Sequence, residues 1–151
     1  MLFKTHIAFG FLIALLALKF LSPQNQLLFA FILLLGAAFP DIDHPKSRLG
    51  QMAYPFSLFF EHRGFFHSFF GIALFTFVSY IISGSMIYSI AFLLGYASHI
   101  LVDSFTKEGI MPIHPVSHFK FRGVFRTGAF YEYALLFVLM AIDIFVMIFL
   151  I

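Results

Sequence analysis

A chain of 151 residues with 62% hydrophobic and 11% charged positions, and a mean hydropathy of +1.00, is too apolar for an ordinary soluble domain, since such domains run to about 25% charged and about 45–50% apolar. The net charge of +2 excludes little, but the absence of cysteine removes disulfides and thiolate sites, so any metal is held by imidazole and carboxylate. A single membrane-embedded domain spanning residues 1–151 is the expected organisation.

Five apolar runs follow in chain order. The first, about Ile7 to Leu21, is entered through Lys4-Thr5-His6 and closed by Ser22-Pro23-Gln24-Asn25-Gln26. No A-x-A-like cleavage site follows it, so it reads as a retained helix and not as a signal peptide. The second, Leu27 to Phe39, is expected to stop at Pro40, which disfavours helical geometry in the residue before it. A mixed stretch then carries Asp41, Asp43, His44, Tyr54-Pro55 and Glu61-His62-Arg63-Gly64. The third run, Phe65 to Ile82, and the fourth, Met86 to Val102, are separated only by Ser83-Gly84-Ser85. A polar segment reaches Phe130, and the fifth run, Tyr133 to Ile151, ends the chain. The predicted fold is an all-α polytopic membrane protein with about five transmembrane helices, the shorter runs tilting or thinning the bilayer.

Five spans put the N-terminus and the segments 40–64 and 104–130 on one side, together with eight of the nine Lys and Arg residues. The positive-inside rule places that side in the cytoplasm, with the C-terminus outside. All seven histidines fall in the same half. Loops sort polar residues without any site, so the informative cases lie within helix ends: His6, His67, His99 and Asp103. His99 and Asp103 are four apart and share a helical face. Two such groups are expensive in a bilayer unless paired with each other or with a metal. Glycine stands four residues from each of these histidines, at Gly10, Gly71 and Gly95, which predicts that their faces are also close-packing faces. With Asp41 or Asp43 hanging from the end of the second helix, the donors suit zinc first, with manganese or iron as alternatives. The expected metal site therefore lies at the cytoplasmic ends of the helices.

Thr5-His6, Pro40-Asp41-Ile42-Asp43-His44, His62-Arg63-Gly64-Phe65-Phe66-His67-Ser68 and Gly95-Tyr96-Ala97-Ser98-His99-Ile100-Leu101-Val102-Asp103 together resemble the motif series of YdjM-type inner-membrane-associated metal-dependent hydrolases. The order is also distantly similar to that of zinc-dependent phospholipases C. The resemblance implies His6, one of Asp41 or Asp43, His67, His99 and Asp103 as ligands of one or two ions, with His44 a further candidate. The phospholipase pattern continues with two His and a His-x3-Glu pair, for which His114-x3-His118 is the nearest counterpart.

A guanidinium beside a metal suits a phosphate, so Arg63 is the expected phosphate clamp. Asp41, Asp43 or His62 is the expected general base. Ligands at headgroup depth point to a membrane lipid or lipid-linked phosphate as substrate, cleaved by metal-assisted hydrolysis. Phe119-Lys120-Phe121-Arg122 is read as meeting anionic lipid headgroups, and not nucleic acid. The rival class is a non-enzymatic metal-binding membrane protein, an ion carrier or regulatory scaffold. A carrier requires polar groups through to the far side, where only Lys19 and Asp143 stand. These two are expected to pair, or to share a polar pocket, between the first and fifth helices.

Overall fold

Local chemistry sets the element boundaries. The computed structural model describes residues 1–45, 47–55, 61 and 63–149, without the side chains of Arg48 and Leu49. Helix α1 (Phe3–Leu21) ends where Ser22 turns left-handed, at φ 43°, before Pro23. Asn25 caps α2 (Gln26–Ala38), its side chain accepting from Leu28 N–H at 3.0 Å. The second run does not stop at Pro40. It continues as a 3-10 turn, Phe39–Asp43, because proline's fixed φ suits the first turn of a helical segment. With that turn the segment Gln26–Asp43 reaches 18 residues and is long enough to cross a bilayer.

A short helix α3 (Arg48–Met52) follows, and then the third run, which is also divided. His67 closes a separate 3-10 turn, Phe65–His67, and is not in the first turn of a membrane helix. Helix α4 (Phe69–Ser83) starts only after Ser68, whose hydroxyl accepts from Gly71 N–H at 3.1 Å. Serine favours the N-cap over a helix interior, which is why the apolar run breaks there. At 15 residues α4 is about 22 Å long, less than the hydrocarbon core of about 30 Å. Helices α5 (Met86–Ser104) and α6 (Phe130–Phe149) complete the set. Among the described residues four segments are thus long and apolar enough to span a membrane, and α4 is a shorter apolar fifth.

The most extensive packing is between α2 and α5, with α1 against both, α6 on α1 and α4 on α5. Glycine makes the central contact: a Cβ on Gly95 would lie 1.9 Å from the Leu33 carbonyl oxygen, and one on Gly36 2.3 Å from that of Phe92. Gly10 is as crowded, 2.8 Å from Ala37 Cβ, so two of the three glycines near histidines hold helices together. Gly71 instead admits its own preceding turn, 2.4 Å from the Phe65 carbonyl oxygen. Ala14, Ala17, Phe29, Leu33 and Ala91 form the core of one half, and Tyr96, Ile100 and Ile110 that of the other.

The segment between α5 and α6 folds back on itself through bridges Thr106–Phe125 and Ile110–Phe121, and Phe69 N–H donates to Pro112 O at 2.9 Å. Lys19 and Asp143 do not pair. Lys19 is exposed at the end of α1, where its ammonium reaches out of the apolar layer. Asp143 is buried and lines a groove with Lys4, Ala8 and Phe11, and among the described residues no ion pair joins it to Lys19. Depth counted separately along two helices does not settle which residues stand level across their contact.

Candidate metal centre

The start of α1, the turn after α2, the turn before α4 and the end of α5 meet at one end of the bundle, around Asp103. Its two oxygens face different partners. Oδ1 lies 3.3 Å from His6 Nε2 and ion-pairs with the amino group of Met1. Oδ2 lies 3.2 Å from Arg63 Nη2, 3.6 Å from His67 Nε2 and 3.8 Å from His99 Nε2.

Each imidazole is set by its surroundings. His99 Nδ1 is 2.7 Å from the Ala37 carbonyl oxygen, which only accepts, so Nδ1 carries a proton and, in the neutral ring, Nε2 a lone pair. The contact exists because Gly36 and Gly95 bring α2 and α5 together one residue and four residues away, respectively. His67 Nδ1 is likewise 3.2 Å from Asp43 Oδ2, leaving Nε2 directed at Asp103. His6 stacks on His99 with ring centroids 3.8 Å apart and planes 8° from parallel.

The two candidate aspartates part company here. Asp41 Oδ1 is 3.7 Å from His99 Nε2, whereas Asp43 is wholly buried and accepts from Arg63 N–H at 3.0 Å as well as from His67. Asp41 therefore belongs with the donors, and Asp43 behind one of them, in the position of a carboxylate that orients a ligating histidine. Two triads have donor atoms all within 4.8 Å of one another: His6, His99 and Asp103, and Asp41, His67 and His99. They share His99, and Asp103 brings one oxygen beside His6 and the other beside His67 and His99.

The donor set fits a divalent cation on electrostatic grounds. The His99 Nε2 lone pair faces the carboxylates of Asp41 and Asp103, an arrangement that repels unless a positive charge lies between. His99 Nε2 and both ring nitrogens of His6 are buried with no hydrogen-bond partner among the described residues. Buried polar atoms are rarely left so, and the Nε2 atoms of His6 and His99 face Asp103. His6, His67, His99 and Asp103 are at most 1% exposed, against 13% for the Asp41 side chain and 12% for that of Arg63, so the approach is from the Asp41–Arg63 side.

Arg63 is spread over protein partners: Nη1 donates to Thr106 Oγ1 at 2.8 Å and Gly109 O at 3.1 Å, and Nη2 faces Asp103. Half-exposed Glu108 lies 3.8 Å from Nη1. Burial raises its carboxyl, but its own backbone N–H, the Thr127 hydroxyl and the Arg63 guanidinium outweigh this and hold it below the usual carboxylate range. His44 is in neither triad, and His62 lies outside the described residues.

Sequence reasoning missed three contributors. Tyr96 is fully buried and donates from its hydroxyl to Phe66 O at 2.7 Å, fixing the turn that carries His67. Its place three residues before His99, on the same face, is the signal that was there to read. Thr106 ties Arg63 to the end of α5 by accepting from Nη1 and donating to Asp103 O at 2.8 Å. Buried Glu132 receives Leu2 N–H at 2.6 Å and Thr5 Oγ1–H at 3.2 Å, holding the start of α1 and with it His6.

Residues 1–150 match the family model described as YdjM inner membrane protein. Over 91 residues the chain is 41% identical to the Inner membrane protein YdjM of Escherichia coli (strain K12), covering 54% of this chain and 46% of that protein, and the same figures hold for its Shigella flexneri counterpart. The match thus spans about half the length of those curated relatives. The Uncharacterized protein YvsG of Bacillus subtilis (strain 168) is 30% identical over 138 residues, covering 85% of this chain and 83% of that one. No solved structure matches.

Proposed function

The chain belongs to the YdjM inner membrane protein family, and from that premise we propose that it is a metal-dependent hydrolase cleaving a phosphoester of a lipid or other amphiphile at the cytoplasmic face of the inner membrane. The observation that carries this reading is the His99 lone pair, locked by the Ala37 carbonyl and aimed at two carboxylates. His6, Asp41, His67, His99 and Asp103 would hold one or two ions, zinc by the donor chemistry, with manganese or iron as alternatives. A divalent ion bound there would supply Lewis acidity, lowering the pKa of water and polarising a phosphoryl oxygen.

The protein's own groups do the rest. Asp41, the donor carboxylate at the exposed mouth, is the one placed to take a proton from an attacking water. Asp43, enclosed behind His67, positions that imidazole and is not the base. Arg63 keeps Asp103 turned toward the cluster and presents only its exposed edge to an incoming phosphate. An apolar cavity of about 630 Å³, walled by Phe9, Ile13, Phe69, Ile72, Phe119 and Phe121, is large enough for a hydrocarbon chain and supports an amphiphilic substrate, though none of the donors lines it. The charge asymmetry orients this end toward the cytoplasm, with the C-terminus outside, and lets the basic residues of the 104–130 segment meet anionic headgroups.

Elemental analysis of purified protein, followed by a screen of lipid phosphoesters with the identified metal restored, tests the proposal. His99→Ala should lose both metal and turnover. Turnover that persists without metal defeats the mechanism, and bound metal with no phosphoester cleaved in the screen leaves the non-enzymatic reading standing.

A further inference from the structure

A second group of ligand-type side chains lies outside the centre and shares no residue with it: Glu61, His114 and His118, with one donor atom each and all three within 4.8 Å of one another. They come from two separate stretches that the backbone locks together. Phe69 N–H donates to Pro112 O at 2.9 Å, which lays the 112–118 stretch beside the residues leading into α4. Gly64 completes the junction. Its N–H donates to Glu61 O at 2.9 Å, and a Cβ there would lie 2.8 Å from that oxygen and 3.5 Å from His114 Cε1. A side chain at Gly64 would crowd the Glu61 carbonyl, while His114 stands there at ordinary contact distance.

The two imidazoles face each other edge to face, with centroids 5.3 Å apart. Among the described residues none of the three side chains has another polar partner, and His114 Nδ1 is buried without a hydrogen bond. A carboxylate at this distance from two unengaged imidazoles is an arrangement that a borderline divalent cation satisfies directly.

We propose that Glu61, His114 and His118 form a second, solvent-accessible divalent-metal site, selective for zinc-like ions. Bonds of about 2.0–2.1 Å to tetrahedral zinc set donor atoms about 3.4 Å apart, so donors within 4.8 Å of one another need close by at most about 1.4 Å on binding. Three protein donors leave one position for water or an exchangeable ligand. The site fastens the loop between α5 and α6 to the stretch that precedes Arg63. It stands independently of the buried centre and of any catalytic role for it.

The test is zinc binding to the full-length protein in detergent, stripped with chelator and titrated with Zn²⁺ alone. Wild type should bind about one equivalent more than either His118→Ala or Glu61→Gln, whose buried centre is untouched. His99→Ala should keep that equivalent. Glu61→Gln preserves size, so an unchanged melting temperature in the stripped state shows that the lost equivalent is a lost ligand and not a lost fold. Wild-type zinc content in both His118→Ala and Glu61→Gln overturns the proposal, as does loss of all zinc from a folded His99→Ala protein.

Discussion

Gly95→Ala is the smallest change that should disable the buried centre without touching a donor. A Cβ there would lie 1.9 Å from Leu33 O, 2.8 Å from Ala37 N and 2.9 Å from Leu33 C, all backbone atoms of α2 that no rotamer change can move. Ordinary contact begins at 3.4 Å, so α2 must retreat by about 1.5 Å. The Ala37 carbonyl moves with it. A hydrogen bond of 2.7 Å to His99 Nδ1 lengthened by most of that distance is no longer a hydrogen bond. Overpacking of this kind costs about 1–3 kcal/mol, and loss of the group that orients a ligating histidine costs about 10–100-fold in metal affinity. Zinc titration and thermal unfolding in detergent, with and without metal, measure both effects. Gly84→Asn is the control: Gly84 has positive φ, 59°, but no atom within 4 Å, and asparagine tolerates that conformation. A Gly95→Ala protein that binds zinc with wild-type affinity would refute the claim that close packing of α2 on α5 sets the His99 tautomer.

Three further outcomes follow from the same geometry. Tyr96→Phe removes the donor to Phe66 O in a buried site, so it should cost about 1–3 kcal/mol in unfolding free energy and weaken metal binding through His67, read by thermal unfolding and zinc titration. Arg63→Lys keeps the charge but not the fork that reaches Asp103, Thr106 and Gly109, and should lower stability by about 1–3 kcal/mol, with a matching fall in metal affinity. Asp143→Asn lies away from the centre, in the groove between α1 and α6, and should leave zinc stoichiometry and affinity unchanged; a lost equivalent would show that Asp143 serves the metal.

Much of the centre was legible because its signals were local and periodic. His99 and Asp103 share a face by helical pitch alone, and the glycines at fixed spacing from His6 and His99 marked the close contacts that bring them together. What escaped depended on backbone details that periodicity does not encode. Asp41 and Asp43 are two residues apart on a turn, and only the turn's geometry decides that one faces the donors and the other supports His67. Arg63 reads from its neighbours as a phosphate clamp, yet its guanidinium is committed to groups more than forty residues away in sequence. The Lys19–Asp143 pair failed for the same reason: burial depth is readable along one helix, whereas the level of its neighbour is a tertiary fact.

Proline at position 40 connects these scales. In a helical segment tightening to 3-10 geometry, the carbonyl of Ala37 would look to the N–H of residue 40, three positions on, and proline has none to give. That carbonyl is thereby available to His99 Nδ1, across the contact made by Gly36 and Gly95. The same residue allows the 3-10 turn that swings Asp41 toward His99 and Asp43 toward His67. One backbone N–H withheld at a helix end thus fixes a tautomer on one helix and sorts two carboxylates on another. In the apolar layer, where an unmatched polar group is costly, this gives a physical reason for the donors to gather at the ends of helices, where the backbone itself has bonds to offer.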